Sequence, residues 1–123
     1  MEVQFEHICS RLFYSGLLVA MVTDRDGVII LKCVSEKAKE NMTGPIIPST
    51  FAIANNQASK LGLQHNKSII SVFDEYQIIQ LDQSPFTITL IAESDANTGL
   101  FINLGDDLLN ITKPLVEAIN NEL

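Results

Sequence analysis

Apolar positions recur along this chain with two different periods, and the switches between them set the order of elements. Over residues 3–13, Phe5, Ile8, Cys9 and Leu12 fall at i, i+3, i+4 and i+7, the spacing of one helix face. Ser15-Gly16 stops that helix. Residues 17–23 and 28–34 are then continuous apolar runs, joined by Asp24-Arg25-Asp26-Gly27. Asp opens a turn and Gly supplies the left-handed residue that closes it, so the pair reads as a hairpin. The unbroken apolar character of both strands predicts cover on both faces.

Residues 35–47 are polar, with Glu36, Lys37, Lys39, Glu40 and then Gly44-Pro45, and read as a connection. Helical spacing returns at Phe51, Ala54, Ala58 and Leu61, with Ser49 or Thr50 as the cap and Gly62 as the stop. Residues 67–73 are rich in β-branched and aromatic side chains, as a strand is. Two further strands follow at 76–81 and 86–92. A last helix starts at Asn97 or Thr98 and carries the stripe Leu100, Leu104, Leu108, Ile111, Leu115 and Ile119. Pro114 interrupts it, so a kink or break is expected there, with Thr112 able to cap a continuation.

The order is helix, hairpin, helix, three antiparallel strands, helix. That is an α+β fold with one antiparallel sheet and helices on both faces. A chain of 123 residues fits a single domain, spanning 1–123.

The middle helix has a second face. At about 100° per residue, Ile53, Asn56, Gln57 and Lys60 lie apart from the Phe51 stripe. That face is mixed rather than laced with Glu and Lys, and Ala52, Ala54, Ala58 and Ser59 keep the helix slim. Composition points the same way. The chain is 46% hydrophobic and 19% charged, an apolar balance for a small monomer, and the surplus suggests surface buried by another chain. Its net charge of −7 argues against nucleic acid and against direct docking on anionic lipid.

Candidate chemistry is sparse. Cys9 and Cys33 sit in apolar surroundings and read as buried free thiols. His7 and His65 share no metal-ligand spacing with them. Setting Gly27 as the glycine of a calcium loop puts Val22 and Cys33 where carboxylates belong, so that reading fails. Neither GxxxxGK[ST] nor GxGxxG occurs, and no serine has a GxSxG context. No catalytic residue, cofactor or metal is expected. No apolar run reaches the roughly 20 residues of a membrane helix. The chain starts Met-Glu and ends Asn-Glu-Leu, without lipidation signals, so it is expected to meet a membrane only through a lipidated partner.

Five blocks occur in one order: Thr23-Asp24-Arg25-Asp26-Gly27-Val28, Ser49-Thr50-Phe51-Ala52, Gln57-Ala58-Ser59-Lys60-Leu61-Gly62-Leu63, Asn66-Lys67-Ser68-Ile69-Ile70 and Ala96-Asn97-Thr98-Gly99-Leu100. Together they resemble the roadblock/dynein light chain superfamily, and within it the Ragulator scaffold subunits of the MEK-partner-one type. The resemblance departs at residues 35–47 and around Pro114. It implies a five-stranded antiparallel sheet with one helix on one face and two on the other. It also implies a non-catalytic adaptor that heterodimerises with a related roadblock subunit. The further partners implied are the other Ragulator subunits, Rag GTPases, the TOR kinase complex, and MEK and ERK kinases, on the cytoplasmic face of late endosomes and lysosomes.

On that reading Ile53, Asn56, Gln57 and Lys60 face a partner helix, while Ile69, Ile70, Ser71, Val72 and Phe73 pair edge to edge with a partner strand. An apolar strand left at an edge aggregates unless covered. Two other classes compete. A direct regulator of a small GTPase needs an arginine finger, and Arg25 is the candidate. A small-molecule sensor needs a large cavity within one protomer.

Overall fold

Turn chemistry sets the first half of the sheet. The computed structural model describes residues 1–44, 47 and 68–122. Helix α1, Glu2–Ser10, is followed by a single 3-10 turn, Phe13–Ser15, that ends on Gly16 in the left-handed region at φ 104°. A side chain at Gly16 would also meet Ala96 at 2.7 Å, so this position needs glycine for two reasons. The hairpin of strands β1, Leu17–Thr23, and β2, Ile29–Val34, is closed by Asp24. Its Oδ1 accepts from the backbone N–H groups of Asp26 and Val28, each at 2.9 Å, and Gly27 takes φ 86°.

Strands β3, Ser68–Val72, β4, Tyr76–Gln83, and β5, Phe86–Glu93, complete one antiparallel sheet in the order β2-β1-β5-β4-β3. Helix α2, Thr98–Glu122, runs back across it. The expected single antiparallel sheet of five strands is what the chain forms.

Strand β1 is buried throughout, as its apolar run predicts. A bulge between Leu17 and Val19 splits it between two cores. Leu17, Ala20 and Val22 join Ile79, Leu81, Ile88 and Leu90 beneath α1 and α2, which supply Phe5, Cys9, Phe101, Leu104 and Leu108. Leu18, Val19 and Met21 point to the opposite face, with Met42, Ile78 and Ile91. Both described helices therefore lie on one face. The expected middle helix, with its caps Ser49 and Thr50 and its stop Gly62, lies outside the described residues.

Several expectations need correction. Strand β2 is not covered on both faces: Ile30 and Val34 are exposed, because β2 is an edge strand with α1 over one side only. Pro114 does not break the last helix, which is continuous through it. The carbonyl it leaves without a partner is that of Asn110, an exposed residue where water can reach. Thr112 is not a cap but a buried back-bonding residue, donating from Oγ1 to the Leu108 carbonyl at 2.7 Å. The apolar stripe also begins one residue later than expected, since Phe101 is buried and Leu100 is exposed, as is Ile119 at the far end. The polar connection contains a 3-10 helix, Glu40–Thr43, that buries Met42.

Two glutamines of β4 hold α2 in place, and nothing in the periodicity announces them. The Gln77 amide is fully satisfied: Nε2 donates to the Glu93 and Ala96 carbonyls at 3.0 and 3.1 Å, and Oε1 accepts from Thr98 Oγ1 at 2.6 Å. Asn97 caps the helix, accepting from Gly99 N–H at 3.0 Å. Farther along, Gln83 Nε2 donates to the Leu109 carbonyl at 2.9 Å and to Thr112 Oγ1 at 3.2 Å.

An open sheet edge as candidate interaction site

Strand β3 ends the sheet, and among the described residues β4 is its one strand neighbour. Its register against β4 is even, from Ser68 opposite Leu81 to Val72 opposite Gln77, without a bulge. The turn fixes which backbone groups are free. Phe73 N–H donates to the Tyr76 carbonyl at 2.8 Å, so Phe73 and Tyr76 form a hydrogen-bonded pair in that register. Hydrogen-bonded and non-hydrogen-bonded pairs alternate along an antiparallel ladder. Ile69 and Ser71 therefore direct their backbone groups inward to β4, whereas Ser68, Ile70 and Val72 direct theirs outward from the sheet.

Side chains alternate the other way, between the faces. Ile69, Ser71 and Phe73 share a face with Ile78 and Gln80; Ile70 and Val72 share the helix-bearing face with Ile79 and Gln77. Ile70 is 45% exposed, Val72 71% and Phe73 48%. Phe73 lies just past the strand and stacks on Tyr76, ring centroids 5.2 Å apart. Gln80 Nε2 donates to the Ile47 carbonyl at 2.9 Å, which pins the chain to the face opposite the helices just before residues 48–67. The exposed pair Lys39 and Glu75, 3.2 Å apart, ties the connection to the β3–β4 turn, worth about 1 kcal/mol or less in solvent.

Of the sequence-predicted interaction residues, the structure places Ile69, Ile70, Ser71 and Val72 on this edge and Phe73 beside it. Ile53, Asn56, Gln57 and Lys60 lie outside the described residues, as does His65. Arg25 is exposed at the tip of the first hairpin. A cleft of about 270 Å³ lies between Lys39, Met42, Ile47 and Tyr76, open to solvent and below the usual size of a small-molecule site. Cys9 and Cys33 are free and buried. Burial, with Cys33 adding, pushes the Cys9 thiol up to about 12; burial, then Glu6, raises that of Cys33. Thiols held protonated in this way are poor nucleophiles. Among the described residues no group of three or more His, Cys, Asp or Glu side chains is arranged to hold a metal ion. No described helix is long and apolar enough to cross a membrane.

Solved structures that superpose on the chain define its fold. Myxococcus xanthus MglB superposes with a TM-score of 0.75, covering 94% of this chain and 96% of its own, at 12% identity. A roadblock/LC7 domain from Streptomyces avermitilis does so at 0.72, covering 91% and 97%, at 10% identity. The fold is that of a roadblock/LC7 domain. Within it, residues 1–119 match the model of the mitogen-activated protein kinase kinase 1 interacting family, and the chain belongs to that family. Among its relatives are Ragulator complex protein LAMTOR3-A of Xenopus laevis, 45% identical over 104 residues, and LAMTOR3 of Mus musculus, 41% identical over 104 residues. The matches cover 85% of this chain and 85% and 84% of those proteins.

Proposed function

We propose that this chain is a scaffold subunit of a Ragulator complex and works by heterodimerising with a second roadblock-fold subunit. The observation that carries the reading is the open, apolar, regularly registered β3 edge in a chain whose relatives bear the name of a Ragulator subunit. A partner strand laid against Ser68, Ile70 and Val72 satisfies their outward N–H and C=O groups and extends the sheet. Ile53, Asn56, Gln57 and Lys60 are the side chains that meet a helix of the partner in this reading. The assembled complex supports recruitment of Rag GTPases and the TOR kinase complex to lysosomes and of MEK and ERK kinases to late endosomes. The membrane is reached through a lipidated partner.

The test is affinity purification of the chain from cells, with identification of stoichiometric partners, for wild type, Ile70→Pro and Arg25→Glu. The reading expects a related roadblock subunit and other Ragulator subunits with wild type and Arg25→Glu, and their loss with Ile70→Pro. Stoichiometric partners without a roadblock subunit among them would overturn it. An Arg25-dependent acceleration of GTP hydrolysis would favour the direct GTPase regulator instead.

A further inference from the structure

One cleft of this molecule plays no part in the dimer reading. It lies between Lys39, Asn41, Met42, Ile47, Glu75 and Tyr76 and holds about 270 Å³. Its walls stand on fixed backbone. Met42 N–H donates to the Lys39 carbonyl at 3.1 Å, and the Met42 side chain is buried in the core beneath. Gln80 holds the Ile47 carbonyl at 2.9 Å. The turn that carries Glu75 is closed by Phe73 N–H on the Tyr76 carbonyl. Ser94 clamps the same turn twice, with Oγ on the Asp74 carbonyl at 3.0 Å and N–H on the Glu75 carbonyl at 3.2 Å. The Phe73 ring backs that of Tyr76.

Two kinds of surface meet in this cleft. Met42, Ile47 and Tyr76 are apolar, while Lys39 and Glu75 set one cation and one anion side by side, Nζ to Oε2 3.2 Å. That separation matches the distance from ammonium to carboxylate within a free α-amino acid, about 3 Å across its N–Cα–C–O bonds. Laid head to tail against the pair, such a molecule completes an alternating ring of four charges. Its carboxylate accepts from Lys39 Nζ and its ammonium donates to Glu75. The solvated Lys39–Glu75 pair is weak on its own, so it opens to admit the ligand at little cost. A lone anion would meet Glu75 and a lone cation would meet Lys39, whereas a zwitterion meets opposite charge at both ends. An aliphatic side chain then covers Met42, Ile47 and Tyr76. The volume is too small for a drug-sized molecule but suits one of about nine non-hydrogen atoms.

We propose that this cleft binds a free amino acid with an aliphatic side chain, held at its two charged ends by Lys39 and Glu75. The site goes beyond the dimer reading and does not depend on it. The test places methyl-labelled methionine in the full chain, purified with the subunits that accompany it, and follows the Met42 methyl by NMR as L-leucine is added. The expected result is a shift of Met42 that saturates in the millimolar range, with Met1 unmoved. Glycine lacks the side chain, isoamylamine the carboxylate and isocaproate the ammonium, and each should bind at least about fivefold more weakly. L-Leucine should lose about the same factor on Lys39→Gln and on Glu75→Gln. The methyl of the fully buried Met21, unchanged in both variants, shows that each is folded. A Met42 shift that never saturates, any of the three analogues binding as well as L-leucine, or unchanged affinity in both variants would overturn the site.

Discussion

The two edges of this sheet are built differently. Strand β2 carries Lys32 at its centre and a bulge between its Thr23 and Val22 pairings, and α1 seals its inner side through Phe5, Cys9 and Cys33. A central lysine and a bulge are devices that stop an edge from recruiting another strand. Strand β3 has neither: its five residues carry no charge and its register is unbroken. On the proposed reading the blunted edge stays unpaired, and the straight, apolar one takes the partner strand.

The same substitution at both edges gives the largest contrast. By the alternation that frees Ile70, the Ser35 N–H bond to the Leu18 carbonyl leaves Lys32 with its N–H outward on β2. Proline removes that donor and is tolerated where it bonds nothing inside the chain. Ile70→Pro should abolish co-purification of the roadblock partner with the circular dichroism of a folded protein retained. Lys32→Pro should leave partner binding intact. Ser71→Pro, whose N–H points inward, should unfold the β3–β4 pair and lower the melting temperature.

Next in size is the helix side of the proposed interface. Ile53→Asp with Gln57→Glu should weaken the heterodimer by roughly 100-fold or more, because buried carboxylates without partners cost several kcal/mol; isothermal titration with the purified partner measures it.

The anchoring of α2 beside the open edge should matter for stability rather than for binding. Gln77→Leu leaves the Glu93 and Ala96 carbonyls and the Thr98 hydroxyl without their partner and should cost about 1–3 kcal/mol in urea unfolding of the chain.

The smallest effect comes from the sealed edge. Cys9 keeps its proton in the folded state up to about 12, against an ordinary value of 9.0. Its contribution to stability is complete below the ordinary value and is lost as pH rises from there toward 12. Cys9→Ala or Cys9→Val should flatten the alkaline fall in melting temperature above pH 9, and a thiol reagent at neutral pH should leave Cys9 unmodified in the folded protein.

Periodicity revealed the strands well because β1, β4 and β5 are central and their neighbours are local hairpins. It misled where position in the sheet, not sequence, decides exposure: the apolar run of β2 reads as buried on both faces, yet the strand is an edge. It also misplaced the α2 stripe at Leu100, because Gln77 and Asn97 set the helix phase through hydrogen bonds that hydrophobic spacing does not encode. Pro114 looked like a break because the pattern does not show that Asn110, whose carbonyl Pro114 cannot bond, is an exposed residue. The β3 edge was legible as an apolar strand, but which of Ile70 and Ser71 faces outward needed the Phe73–Tyr76 bond.

Amide hydrogen exchange of the free chain against its complex with the roadblock partner tests the contrast between the edges most directly. The account predicts that the N–H groups of Ile70 and Val72 exchange rapidly in the free chain and become strongly protected in the complex, with Lys32 and Val34 unchanged. Protection that appears at Lys32 and Val34 while Ile70 and Val72 stay open would contradict it.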